Sequence, residues 1–166
     1  MDRLLKWMLR VPVLAFDARA DRLLGHRFLL LTHHGRRSGR RYRTVLEVLC
    51  WRPELHEAVV MSGFGPRAQW LQNVLAGTPA EIGIAGRRWP AMARHLEAAE
   101  AVTVLAGYER RNAALRPVVR HVLSRLARMS YDGSPQARLA VVHKLPLVAF
   151  RPAAEPGVTP PPPPAS

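Results

Sequence analysis

Phe28-Leu29-Leu30-Leu31-Thr32, Gly35-Arg36-Arg37-Ser38-Gly39, Tyr42 through Trp51, and Ala58-Val59-Val60-Met61 follow one another within 34 residues of sequence, 28–61. The first is a short apolar run that suits a buried strand. The second has the composition of a turn. The third carries Val45, Leu46, Val48, Leu49 and Trp51 and reads as another strand. Strand, turn and strand make a hairpin with an arginine-rich tip. Arg52-Pro53-Glu54 turns the chain again into a third strand. Strands without intervening helices argue for an antiparallel sheet or barrel.

Outward from this core, Ser62-Gly63-Phe64-Gly65-Pro66 opens a helix predicted to run to about Ala76, with Pro66 at its first position. Gly77 and Pro79 stop it. Strands are expected at 80–85 and 88–96, turning at Ala85-Gly86. Helices are expected over 97–110 and 115–129. In the second, Leu115, Val118, Val119, Val122, Leu123, Leu126 and Met129 form a stripe that should face the core. Leu139 to Phe150 reads as a last strand, and Pro146 implies an edge position. From residue 153 the chain is Pro-rich and is expected to be a disordered or extended tail.

Residues 2–16 read as an amphipathic helix, with Arg3, Lys6, Arg10 and Asp17 on one face. Such a helix covers the core or lies on a membrane surface with Trp7 at the interface. Arg10 divides the apolar region too early for a signal peptide. The expected organisation is thus a helical 1–24, a barrel domain over 25–152 and a tail over 153–166.

The chain has 166 residues, enough for one domain with a real core. Hydrophobic residues make up 48%, which excludes wholesale disorder. The lone Cys50 excludes a disulfide framework and a cysteine-built zinc site, and fits a reducing, intracellular setting. No apolar stretch approaches the ~18 residues of a transmembrane helix. A cytoplasmic location is expected, peripheral at the inner face of the membrane only on the second reading of residues 2–16.

The formal net charge is +13, and all basic residues but Lys6 and Lys144 are arginine. Genomic base composition can raise arginine globally, but it does not explain where the charge sits. Between Asp21 and Glu47 there is no acid, whereas Arg22, Arg27, Arg36, Arg37, Arg40, Arg41 and Arg43 fall there. A field this one-sided attracts an anion: nucleic acid, a membrane surface or a phosphorylated cofactor. Two segments look built for one. The hairpin tip offers forked guanidinium donors on a glycine-permitted turn. The Ser62–Pro66 loop offers a hydroxyl and the start of a helix. No Walker loop, dinucleotide fingerprint, nucleophile elbow, carboxylate pair or metal-ligand spacing occurs, so a cofactor should carry any reaction. The aromatic residues are not interleaved with the arginines as a nucleic-acid stacking platform requires.

Four motifs in order resemble the deazaflavin (F420)-dependent nitroreductase family, also called the F420-dependent quinone reductases. They are Leu30-Leu31-Thr32 with Gly35-Arg36-Arg37-Ser38-Gly39 and Arg43-Thr44-x-Leu46; Ser62-Gly63-Phe64-Gly65; Trp70-x-x-Asn73-x-x-Ala76-x-x-Pro79; and Pro146-Leu147-Val148 with Pro152. The resemblance covers roughly residues 27–152. It implies an α+β split β-barrel with flanking helices. It also implies hydride transfer from reduced F420, a deazaflavin with a phosphate and an oligoglutamate tail, to a small acceptor such as a quinone, nitro compound or enone. By carry-over, Arg37, Ser38, Arg43 and Thr44 would hold tail and phosphate on the turn at Gly39, with Arg36, Arg40 and Arg41 supplying field. Ser62, Gly63, Phe64 and Gly65 would meet the phosphate or ring edge, and Trp70 and Asn73 would fix that loop. Tyr108 and Tyr131 are candidates to line the acceptor pocket. Arg37 stands where the family usually has Lys, Tyr42 where an arginine is common, and Val45 where proline is usual. FMN, which lacks the oligoglutamate tail, is the alternative cofactor.

Overall fold

The structure, a computed structural model, describes residues 21–153. The expected helix at 2–16 and the Pro-rich tail from 154 lie outside the described residues. A short helix α1 (Asp21–Leu24) precedes β1 (Phe28–His34) and β2 (Arg41–Arg52). A 3-10 turn at Pro53–Leu55 leads to β3 (Glu57–Met61). Next come α2 (Gln69–Leu75), β4 (Ala80–Ile84), β5 (Arg87–His95), α3 (Ala98–Arg111), α4 (Arg116–Ala127), α5 (Pro135–Lys144) and β6 (Leu147–Pro152). The six strands close into an antiparallel barrel in the order β1-β2-β3-β6-β5-β4. This is the antiparallel barrel with flanking helices that the sequence implied.

Strand alternation divides the apolar residues into two layers. Leu29, Leu31, Ala58, Val60, Ile82, Val148 and Phe150 point inward, where Trp70, Leu71 and Val74 of α2 join them. Val59, Leu147 and Ala149 point outward and pack with Val104, Leu105, Leu123 and Val141 of α3–α5. A register shift between Val48 and Cys50 lets Leu49 join the outer layer while Val48 stays inside. Burying both faces explains why β3 and β6 read as continuous apolar runs.

A charged network fixes α3 to the barrel. Glu57, 1% exposed, accepts from Arg52 at 2.6 Å and from Arg94 at 3.1 Å. Both arginines also reach Glu100 on α3, at 2.8 Å each. Hydrogen bonds from Arg94, then from Arg52, hold the Glu100 carboxyl well below the ordinary range, at about 2. A carboxyl depressed on folding adds stability that is complete above its unfolded pKa and lost as pH falls through the folded one. Stability should therefore fall between about pH 4.5 and 2, and Glu100→Gln should flatten that part of an acid titration followed by circular dichroism.

Two elements differ from expectation. The segment after Gly65 is a 3-10 turn over Gly65–Arg67, broken by extended Ala68 (φ −56°, ψ 128°), so α2 begins only at Gln69. Pro66 therefore opens the 3-10 turn and not an α-helix. The expected strand over 139–150 is the C-terminal half of α5 followed by β6. Ser134 caps α5, accepting from the Ala137 N–H at 3.2 Å, and Pro135 occupies the first turn. β6 lies between β3 and β5, and Pro146 sits just before it; no sheet edge is involved. An apolar run of this length cannot separate strand from buried helix by periodicity alone.

Candidate functional site: an arginine hairpin anchored to a helix

The β1–β2 turn is closed by two backbone bonds, Gly35 N–H to Arg40 O at 2.9 Å and Gly39 N–H to Gly35 O at 2.8 Å. Gly39 sits at φ +65°, the left-handed region that favours glycine. A Cβ on Gly35 would lie 2.5 Å from the Ser38 hydroxyl, so a larger residue there would displace that side chain. The Ser38 hydroxyl accepts from the Arg40 N–H at 3.3 Å and lies 3.4 Å from the Tyr42 hydroxyl. Arg37, Arg40 and Arg41 are exposed and make no ion pair among the described residues. Three cations with no acid among them form a standing anion field.

Arg36 has a different role. Its guanidinium donates to Gln69 at 3.2 Å, Gln72 at 2.6 Å and Asn73 at 3.0 Å, and its backbone N–H donates to Asn73 Oδ1 at 3.2 Å. These three residues lie on one face of α2. The hairpin tip is thus pinned to the helix by neutral acceptors, which leave the local positive charge uncancelled. The sequence offered the 69, 72, 73 spacing as a signal, but Gln69 and Gln72 were not singled out there.

The anchor continues inward. Asn73, buried, lies 3.1 Å from His33 Nδ1 through its Nδ2. Arg36 has only donors, so Asn73 must present its oxygen to Arg36 and its NH2 to His33. His33 then accepts at Nδ1 and is neutral. Burial pushes its pKa below 6.5, and its ring stacks on Tyr42 at 5.7 Å. The unfolded chain binds this proton first, so stability is complete above about pH 6.5 and falls as the pH drops below it. His33→Gln should lessen the loss in melting temperature between about pH 7 and pH 5 relative to the parent.

The second predicted segment is joined to the first through α2. Gln72 accepts from Arg36 and donates to the Pro66 carbonyl at 3.5 Å. Within that loop Ser62 is fully buried; its hydroxyl donates to Gly65 O at 2.7 Å and its N–H to Pro146 O at 2.9 Å. Ser62 thus closes the loop from inside. Gly65 has φ +71°, and a Cβ there would lie 3.2 Å from the Lys144 carbonyl. Gly63 faces Leu126 of α4, and Phe64 is exposed. Since α2 starts after the break at Ala68, the loop does not lead directly into a helix N-terminus.

Other predicted residues are separated. Register places Arg43 opposite Thr32 on the outer face of the barrel and Thr44 opposite Leu31 on the inner face. Trp70 is buried, its ring 6.3 Å from Phe150, and supports α2 from the core. Asn73 anchors the hairpin and makes no side-chain bond to the 62–65 loop. Tyr131 is buried in the outer core layer, while Tyr108, half-buried, donates to Glu47 at 2.8 Å. Tyr108 thus ties α3 to the barrel, whereas Tyr131 donates its N–H to Ser124 of α4 at 3.0 Å. An open cleft of about 510 Å³ lined by His56, Arg87, Arg88, Trp89 and Pro152 lies at the far end of the barrel and contains none of the predicted residues. No helix among the described residues is long and apolar enough to cross a membrane.

The family model for F420H(2)-dependent quinone reductase matches residues 13–117. Among solved structures, an F420-H2 dependent reductase (FDR-A) is 16% identical, covering 76% of this chain and 96% of its own, at TM-score 0.43. A pyridoxamine 5'-phosphate oxidase-related, FMN-binding protein from Nostoc punctiforme is 13% identical over 86% of this chain and 79% of its own, at TM-score 0.42. A general stress protein 26-related protein from Clostridium acetobutylicum is 6% identical over 83% of each chain, at TM-score 0.46. No curated protein matches the sequence. The family match runs from before β1 through the hairpin, the 62–65 loop and α2 to the start of α4, the segments that build the anchored arginine turn. On that match, the chain belongs to the F420H(2)-dependent quinone reductase family and is an F420-dependent oxidoreductase.

Proposed function

We propose that the chain reduces a small organic acceptor of the quinone, nitro or enone class, with the anionic part of F420 held at the β1–β2 hairpin. The observation that carries this reading is the set of exposed arginines, Arg37, Arg40 and Arg41, on a turn pinned by Arg36 and free of acids. Their forked donors fit phosphate and carboxylate oxygens. FMN offers one phosphate and no oligoglutamate, so it would engage fewer of them. When bound, reduced F420 supplies a hydride; with a proton from solvent this turns a quinone into a hydroquinone.

The chain's own contribution is positional. Arg36, Asn73 and His33 hold the hairpin in one geometry before the cofactor arrives, which lowers the ordering cost of binding. The 62–65 loop is held closed from inside by the Ser62 hydroxyl, which fixes the backbone it presents. Holding two reactants in register and limiting water supplies the rate enhancement, with no side-chain nucleophile needed.

The test is oxidation of reduced F420 by the full chain with a naphthoquinone, a nitroaromatic and an enone in parallel. Saturable turnover with the quinone is expected. Tight F420 binding without turnover of any of the three would overturn the acceptor class and leave the cofactor assignment standing.

A further inference from the structure

Helix α4 carries more apolar surface than the core takes up. Of the stripe expected to face inward, Leu123 is buried, together with its neighbour Ala127, whereas Leu115 is 48% and Val118 39% exposed. Val118, Val122 and Leu126 step by four, so they share one edge of the helix, and Leu115 ends the 3-10 turn that leads into it. That edge runs to the 62–65 loop: the Leu126 side chain lies 3.5 Å from where a Cβ on Gly63 would stand. Beyond it Phe64 is 69% exposed, the highest value among the large apolar side chains described.

The surroundings are cationic. From Arg110 through Tyr131 there is no acid, whereas Arg110, Arg111, Arg116, Arg120, Arg125 and Arg128 fall there together with His121. The acids at either end are engaged. Glu109 is buried and accepts from Arg138 at 2.6 Å, and Asp132 accepts from the Ser134 N–H at 2.8 Å. Arg111 turns inward to the Leu49 carbonyl, and Arg120 packs beside Gly133 and Glu109. Arg116 and Arg128 are exposed, with no ion pair among the described residues.

We propose that α4 and the Phe64 loop form a docking face for an anionic lipid surface. An apolar edge bordered by arginines and lacking acids matches the boundary between charged headgroups and acyl chains. The charge selects an anionic leaflet, and Phe64, Leu115 and Val118 enter its apolar margin. The binding of this face to lipid needs no cofactor.

The test is co-sedimentation of the full chain with vesicles of phosphatidylglycerol and phosphatidylcholine, against phosphatidylcholine alone. Partition onto the anionic vesicles should be at least about tenfold stronger and should weaken as salt rises. Val118→Glu with Arg128→Glu should reduce that partition about tenfold or more with F420 affinity unchanged, which also reports intact folding. Lys6→Glu with Arg10→Glu should retain most of it. Equal partition onto both vesicle types, wild-type partition by the Val118/Arg128 variant, or loss confined to the Lys6/Arg10 variant would each overturn the proposal.

Discussion

Reversing Arg37 and Arg40 together to glutamate is expected to weaken F420 binding about 100-fold. A hydrogen bond to a charged group contributes roughly 1.5–3 kcal/mol. Exposure and salt reduce that figure here, so about 1.5 kcal/mol per residue is the working value, or about tenfold each. Both side chains are exposed and make no ion pair among the described residues, so the melting temperature should hardly move. The effect should shrink at high salt. Reversing Arg87 and Arg151 changes the net charge equally, but at the far end of the barrel. That control should leave affinity within about twofold if position rather than total charge matters. Equal weakening by both pairs would mean that only the global field attracts the cofactor.

Asn73→Leu is expected to have the second-largest effect, and on two readouts. The side chain is buried between Arg36 and His33 and joins three of their polar atoms. Leucine is close in volume, so packing changes little, but the Arg36 N–H and His33 Nδ1 lose their partner. An orphaned buried group costs about 1–3 kcal/mol, so a loss of about 3 kcal/mol is expected. For a chain of this size that is roughly 6–12 °C in melting temperature. F420 affinity should fall as well, because the hairpin would sample several positions before binding. Its salt dependence should stay as in the parent, since no charge is removed. A large thermal loss with unchanged affinity would mean that the anchor stabilises the fold without ordering the site.

The hairpin was legible from the sequence because its signals agree: an apolar run, a glycine-bounded turn, and arginines without acids. Three successive strands with no helix between them left an antiparallel sheet or a barrel, and the family resemblance pointed to the barrel. The end of the chain was harder to read. Leu139 to Leu145 is apolar enough for a strand, and the Ser134-Pro135 start that makes it a helix lies upstream of the run. The stripe on α4 was legible as a helix, but sequence alone could not divide it between core and surface. That division depends on how α5 lies against it. The site's anchor was also hidden, because the bonds from Arg36 to α2 span 33 to 37 residues of sequence. Only closure of the barrel brings that helix beneath the turn. Alternation along β2 likewise separates Arg43 from Thr44, two neighbours that a motif treats as one unit.

The most direct test is a fluorescence titration of oxidised F420 into the full chain, with FMN as a parallel titrant. Saturable F420 binding at micromolar concentration or tighter is predicted, stronger than FMN binding and lost with Arg37→Glu and Arg40→Glu. Absence of F420 binding, or FMN binding tighter than F420, would contradict the account.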